Sequence, residues 1–459
     1  MSKLKVTTIS DPDNDNTAIT VDTSGNVTFA QNATFSGTVS GIDSGAKTIS
    51  DDDTATYSDG DYFVSSTGIA YRLLNDGTSS AWYEVGSKQS IPEINSVDTI
   101  AVGYEYSMYI NQSGDLYGVG YNAQGQLGLG DTSTRSEWTK IASNVKKVFA
   151  GGSSTFFIKQ DGTLWATGSN SYGGLGFGDT VARNEFEKVN ITNVEKVASF
   201  GSHTLILKTD GSVWAVGINN KGQLGLGDTT TRSSLTQVVS SGVTDIAVGS
   251  STSFYINSSG AVYSCGYNNR GQLGRGNTTD YSSFGITNIT SGASRLSRKN
   301  GYSHSAVIKT DGSLWTTGDT DYGQLGSGSS SGYQTSFGQR VSSGAVDVSC
   351  AHYMTIYVNS SGTVYTTGIN SDGQLGLGDT SERTTFTATS ITNGVAVANT
   401  NSFSFVIKDD NLVSSTGNGA NYKLGSNSTS NRTSFDTANV NDAVGTDQVA
   451  ANLTVGQLA

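Results

Sequence analysis

The chain has 459 residues, of which 39 are acidic and 27 basic, giving a formal net charge of −12. That balance argues against a nucleic-acid surface, which needs clustered positive charge to displace counterions from phosphate, and 9% aromatic with only 14% charged residues is not a disordered composition. Glycine numbers 58 against 2 prolines and no long apolar run is present, so the chain reads as a polar-surfaced β protein that inserts into no membrane and is longer than one ordinary domain.

Residues 4–42 alternate short β-prone stretches (Leu-Lys-Val-Thr-Thr-Ile-Ser, Thr-Ala-Ile-Thr-Val-Asp, Ala-Thr-Phe-Ser-Gly-Thr-Val-Ser-Gly-Ile) with Asp/Asn- and Ser-Gly-rich turns. Strands this short bury no core alone, so partner chains are expected. The segment resembles the N-terminal regions of tailed-bacteriophage fibre and other virion proteins, and that resemblance implies attachment to other virion proteins through residues 1–45 and a homo-oligomer, a trimer being favoured. Within it, Asp11, Asp13, Asp15 and Asp22 have the spacing of a calcium loop, but Asn16 stands where such a loop turns on glycine. A solvated turn is expected, with no metal. Met1 to Ser10 has no apolar core, so no signal peptide is read, as for a protein made in a host cytoplasm and released in virions.

Residues 46–92 are expected to form a small β module or spacer, with strands near 61–65, 70–74 and 82–85. Its rings Tyr62, Tyr71, Trp82 and Tyr83 also suit a carbohydrate-binding module. From residue 93 to 439 the chain repeats. Leu127, Leu175, Leu224, Leu273, Leu325, Leu375 and Leu424 each sit in Gly-Gln-Leu-Gly or a worn version of it, spaced by 48, 49, 49, 52, 50 and 49 residues. A fixed period near fifty with strand patterning and no helical pattern means a copied supersecondary unit, and seven β-rich copies close most simply into a propeller.

Within each copy a turn of Asp-Gly or Ser-Gly type (Asp161-Gly162, Asp210-Gly211, Ser259-Gly260) precedes an aromatic residue such as Trp165, Trp214 or Tyr263, expected to pack between blades. A loop opened by Asn122, Asn170, Asn219, Asn268 or Asn370 follows, where an Asx-turn or left-handed backbone is expected. Asp131, Asp179, Asp228 and Asp379 each precede an arginine by four residues, the spacing of a surface ion pair, which adds little stability. Three residues beyond the arginine position an apolar residue recurs in all seven copies, from Trp138 to Phe435. The seventh copy departs most, with Asn411 at the turn glycine and Ser414 at the aromatic. Residues 440–459 form a tail expected either to complete the first blade or to leave the disc.

The stretch Asp-Gly-Ser-Val-Trp-Ala-Val-Gly-Ile-Asn-Asn-Lys-Gly-Gln-Leu-Gly-Leu-Gly-Asp, residues 210–228, resembles the repeat of the regulator of chromosome condensation family. The resemblance covers about residues 97–436 and implies an all-β fold: a seven-bladed β-propeller preceded by the N-terminal strands and the small β module. It also implies nucleotide exchange on a small GTPase and docking on chromatin. Exchange in that family uses a wedge inserted in one blade, whereas the repeat intervals here differ by at most four residues, and the acidic balance disfavours chromatin.

Catalytic signatures are missing from the sequence, so no enzyme and no cofactor is expected. His203 and His304 share a repeat slot occupied elsewhere by Tyr106, Ser154, Thr252, Met354 and Phe403, a slot for packing, and His352 falls two residues from it. Cys265 and Cys350 come from different strand positions, too unlike for a disulfide, and have no metal-ligand spacing. What remains is binding through loops. Tyr121, Tyr172, Tyr267 and Tyr322, in the loops before Gly-Gln-Leu-Gly, vary in position from copy to copy and are the expected ligand contacts. The resulting reading is a phage tail fibre or other virion surface protein whose propeller binds a host surface glycan or protein, with capsid decoration or a baseplate component as one alternative and GTPase regulation as the other.

Overall fold

The computed structural model describes residues 99–438 apart from 112, 201, 299, 410 and 411, together with six short strands between residues 3 and 87. The chain divides into two compact units, Met1–Pro92 with Val444–Ala459, and Glu93–Ala443. In the first unit Lys3–Leu4, Ser80–Ser87, Ile69–Asn75 and Tyr62–Val64 lie side by side in that order as an antiparallel sheet, and Ile19–Val21 pairs with Val27–Phe29. The aspartates of the calcium-like loop, Asn411 and residues 440–459 lie outside the described residues.

The second unit is a seven-bladed β-propeller. Its blades span residues 100–142, 145–188, 194–239, 243–286, 293–341, 345–388 and 394–437, and each is a four-stranded antiparallel sheet whose strands pair in chain order. First strands from all seven blades line a central channel of about 280 Å³. The second and third strands are nearly all buried, while the fourth alternates between half-buried and exposed, as the outer edge of a disc must.

Each sheet begins with an apolar first strand, such as Val243–Val248, and turns back at a dipeptide such as Asp210-Gly211. There the Lys208 carbonyl accepts a 2.9 Å bond from the Gly211 N–H, the Asp210 carboxylate accepts from the Ser212 N–H, and Gly211 takes φ +77°. The aromatic residue that follows packs against a core cluster shared by two blades: Trp165 against one that combines Met108, Leu116 and Leu127 of blade 1 with Val148 and Phe157 of blade 2, where it stacks on Phe157 at 6.1 Å, and Trp315 against one drawn from blades 4 and 5.

The recurring phrase is the joint between blades. Its leucine is at most 1% exposed in all seven copies. Its last glycine receives the apolar residue of the next blade's fourth strand: a Cβ on Gly225 would stand 2.4 Å from the Phe284 ring, at φ +73°, so neither space nor backbone admits a side chain. The phrase's second residue offers its carbonyl to the next blade's second strand. Thr155 donates to Gln126, Ser253 to Gln223, Thr355 to Gln324 and Ser404 to Gln374, at 2.6–2.8 Å.

The same joint closes the ring. Trp138 of blade 1 fills the space over Gly425 of blade 7, Ser107 donates a 2.7 Å bond to the Lys423 carbonyl, and one core cluster combines Ile100, Tyr109 and Trp138 with Phe403, Phe405 and Leu424. Blade 1 draws all four of its strands from 100–142, so closure among the described residues is by side-chain packing rather than by strand exchange. Lys423, only 2% exposed, pairs with Glu105 at 2.7 Å across this seam.

One local expectation is corrected. The loop asparagines do not make Asx-turns, and none has a left-handed backbone. Asn219 instead accepts from the N–H of Leu224, five residues on, and its amide donates to the carbonyl of Asp228, nine residues on. A long loop has more unpaired backbone across its waist than at its entry, and the amide spans that gap. The aspartate that follows makes the short-range turn, and its ion pair with arginine forms as expected, at 2.6–2.8 Å in four copies.

Candidate functional site

Because the strands are antiparallel, the loops joining first to second and third to fourth strands emerge at the same end of the disc. They are tied together there by bonds such as Tyr121 N–H to the Glu105 carbonyl and Ser169 N–H to the Ser153 carbonyl, both 2.9 Å. That end carries a group of aromatic side chains around the channel mouth. Tyr104, 40% exposed, lies over Gly152, where no side chain would fit beneath its ring, and meets Phe200 of blade 3 edge-on at 5.8 Å. Tyr302, 50% exposed, meets His352 edge-on at 5.1 Å; His352 stacks on Tyr353 at 4.3 Å, and Tyr353 rests against Tyr322 at 4.4 Å. Arg270 and Asp321, 3.7 Å apart and partly exposed, flank the strip.

The electrostatics fit a half-desolvated surface. Burial lowers the His352 imidazole below its ordinary value, so the ring is neutral at pH 7. Burial followed by the fields of Tyr322, Asp319 and Tyr302 raises the Tyr353 phenol, and burial with the field of Tyr302 raises that of Tyr104. These phenols therefore stay protonated and able both to donate and to accept.

All four sequence-predicted tyrosines lie on this face, since all are in third-to-fourth-strand loops. Only Tyr322 joins the aromatic strip. Tyr172 is 46% exposed, Tyr267 is half-buried under the Lys221 ammonium at 4.7 Å, and Tyr121 is half-buried beside the Glu105 backbone. Sequence reasoning missed Tyr104, Tyr302, His352 and Tyr353. A signal was available: Tyr104, Tyr302 and His352 each stand two residues before the repeat slot of Tyr106, His304 and Met354, where blades 2, 4 and 7 have Gly152, Ser250 and Asn401.

The remaining chemistry is structural. His203 and His304 are fully buried, and each Nε2 lies 3.0 Å from a hydroxyl of the next blade, Ser253 and Thr355. Burial pushes them down to about 4 and about 3. Cys265 and Cys350 are buried thiols raised by desolvation. Among the described residues no group of three or more His, Cys, Asp or Glu side chains could hold a metal ion, and no helix is long and apolar enough to cross a membrane.

Fold and joint together define a propeller of tandem repeats. Parts of it match two family models described as regulator of chromosome condensation (RCC1) repeat, one at residues 113–158, 210–256 and 259–287 and the other at 145–173, 194–223, 243–272 and 301–324. Among solved structures, the chain is similar to Prp20p from Saccharomyces cerevisiae (16% identity, 72% of this chain and 87% of that one, TM-score 0.64) and to yeast RCC1 (Prp20) in its complex with Kap60 (16%, 71% and 83%, 0.63). Human WBSCR16 is similar at 17% identity over 71% of this chain and 93% of that one, with a TM-score of 0.62. At these identities the likeness is one of fold. No curated protein sequence matches the chain.

Proposed function

We propose that the chain is a non-enzymatic binding module that takes its partner on the aromatic mouth face. The observation that carries this is the contiguous strip Tyr302–His352–Tyr353–Tyr322, with the exposed Tyr104 on the same face. Aromatic rings that carry hydroxyls, flanked by Arg270 and Asp321, suit a glycan or a polar protein surface. The resemblance of residues 1–45 to phage fibre segments supports the setting: a virion-borne oligomer that displays the propeller to a host surface molecule, with no role in binding nucleic acid. The test is binding of the full chain to host-surface glycans and proteins, with Tyr302→Ala and Tyr353→Ala as variants. A partner that binds all three proteins equally well does not use this face.

A second reading, GTPase regulation, is favoured by the RCC1 repeats and by the fold likeness to Prp20p, whose structure was described with its binding properties to Gsp1p and histones. On this reading the mouth face engages a small GTPase. Nucleotide release from such a partner, accelerated by the wild-type chain and not by Tyr302→Ala, would establish it in place of surface recognition.

A further inference from the structure

Two ion pairs on the mouth face are built alike and stand open. Lys221 of blade 3 faces Asp280 of blade 4, and Arg270 of blade 4 faces Asp321 of blade 5, each with 3.7 Å between the cationic nitrogen and the aspartate Oδ2. Lys221 and Arg270 hold the same repeat position, three residues before the leucine of the joint phrase. The four Asp–Arg pairs in loops of the same kind close to 2.6–2.8 Å. At 3.7 Å neither cation reaches its carboxylate with a hydrogen bond. Among the described residues the two donate only through their backbone N–H groups, to Gln223 and Gln272, so the charged heads are unspent.

Each gap is held open by contacts outside the pair. Asp280 Oδ1 accepts from the Asn268 N–H at 2.8 Å and Asp321 Oδ1 from the Gly332 N–H at 3.0 Å, which leaves both Oδ2 atoms turned to the cations. The Lys221 ammonium lies over the Tyr267 ring at 4.7 Å, and Tyr322, next to Asp321, rests against Tyr353. The four charged side chains are 40–43% exposed, so a ligand on this face reaches them directly.

We infer that the mouth face takes an uncharged oligosaccharide, with one sugar hydroxyl entering each gap; this rests on the mouth-face reading above and gives its ligand a chemical class. A hydroxyl about 2.8 Å from both sides accepts from the cation and donates to Oδ2 with a single oxygen. Tyr322 and Tyr353 beside the second gap offer apolar area to the C–H face of a sugar ring. Each cation is already matched by a carboxylate, so an acidic sugar or a phosphate meets Asp280 and Asp321 with no surplus positive charge to hold it. Two like gaps on successive blades fit a chain of like units.

The test is calorimetric titration of the full chain with the monosaccharides and hexasaccharides of mannose, galactose and glucose, and with the hexamer of galacturonic acid. Saturable binding of a neutral hexamer is expected, about tenfold tighter than its monosaccharide and than the acidic hexamer. Asp280→Asn and Asp321→Asn keep the Oδ1 acceptor for the backbone and put an N–H donor in place of Oδ2, so each weakens the hexamer about tenfold at an unchanged unfolding midpoint. No saturable binding of any neutral sugar at millimolar concentration, acidic binding as tight as neutral, or unchanged affinity in both asparagine variants overturns the assignment. A protein or other ligand that needs Tyr302 or Tyr353 but neither aspartate also overturns it, while the binding face itself stands. Neutral hexamers lost in the asparagine variants but held equally by Tyr302→Ala and Tyr353→Ala support the gaps and remove the aromatic strip from the site.

Discussion

Ser253 and Ser305 occupy the same position on the second strands of neighbouring blades and are 0% and 1% exposed, but only the first works as a joint. The Ser253 hydroxyl donates a 2.6 Å bond to the Gln223 carbonyl of the preceding blade and lies 3.0 Å from His203 Nε2, while the Ser305 hydroxyl has no partner. Ser253→Ala therefore leaves a carbonyl and an imidazole nitrogen unsatisfied in the core, at about 1–3 kcal/mol each. The weak 3.6 Å contact of the Cys265 thiol with the Gln223 carbonyl offsets part of this, which brings the expected loss to about 2–4 kcal/mol. Ser305→Ala deletes the same atom from an equally buried site, breaks no bond and is expected to be neutral or slightly stabilising. The assay is urea unfolding of both full-length variants beside the wild type, followed by tryptophan fluorescence, with midpoints compared at unchanged slope. If the two alanines lower the midpoint equally, side-chain packing rather than the hydroxyl-to-carbonyl bond holds the blades, and the account of the repeat phrase given above is wrong.

Acid should weaken the propeller through its buried histidines. Both are held below the ordinary imidazole value, at about 4 and about 3, so the unfolded chain binds more protons than the folded one once pH drops below about 6.5. Stability is then lost as pH falls from there toward 4, by about 1.4 kcal/mol per unit for each histidine, and His304→Met should flatten the melting-temperature profile over that range. Asp347→Asn strips the counter-charge from Arg295 and Arg298; burial opposes its ionisation, but the two guanidinium groups hold it below the usual carboxylate range. A loss of about 3–5 kcal/mol in chemical unfolding is expected, and a neutral outcome would show that the pairs contribute nothing to the channel wall. Trp138→Ala empties the space over Gly425 at the closing seam, with an expected cost of about 3–5 kcal/mol. Amide exchange should accelerate first in Phe403–Lys408, next to the seam, and uniform acceleration around the ring would contradict closure by that packing.

Much of this architecture is legible in the chain because a repeat writes the same local solution seven times. Leu224 and its six equivalents announce the period, Asp210-Gly211 announces the hairpin, and the regular step from arginine to an apolar residue, as from Arg383 to Phe386, announces an anchored fourth strand. Each depends on residues a few positions apart, where backbone preference and strand alternation already decide the geometry. What the phrase does could not be read that way. The glycine of Gly225 is required by Phe284, 59 residues downstream, and the Gln223 carbonyl is required by Ser253 in the next blade. Neither partner is marked in sequence, since a pattern reports which residues recur and not which of them touch.

The binding face shows the same division. The sequence by itself determined seven β-rich repeats, an acidic and polar surface, and loops at one end of each repeat with variable tyrosines, because periodicity and composition are properties of the chain. Only the tertiary structure decided that Tyr302, His352, Tyr353 and Tyr322, from two blades and two kinds of loop, form one strip. Closing the ring brings loops about 50 residues apart into contact, and a contact between copies depends on the angle at which blades pack, which no single copy encodes.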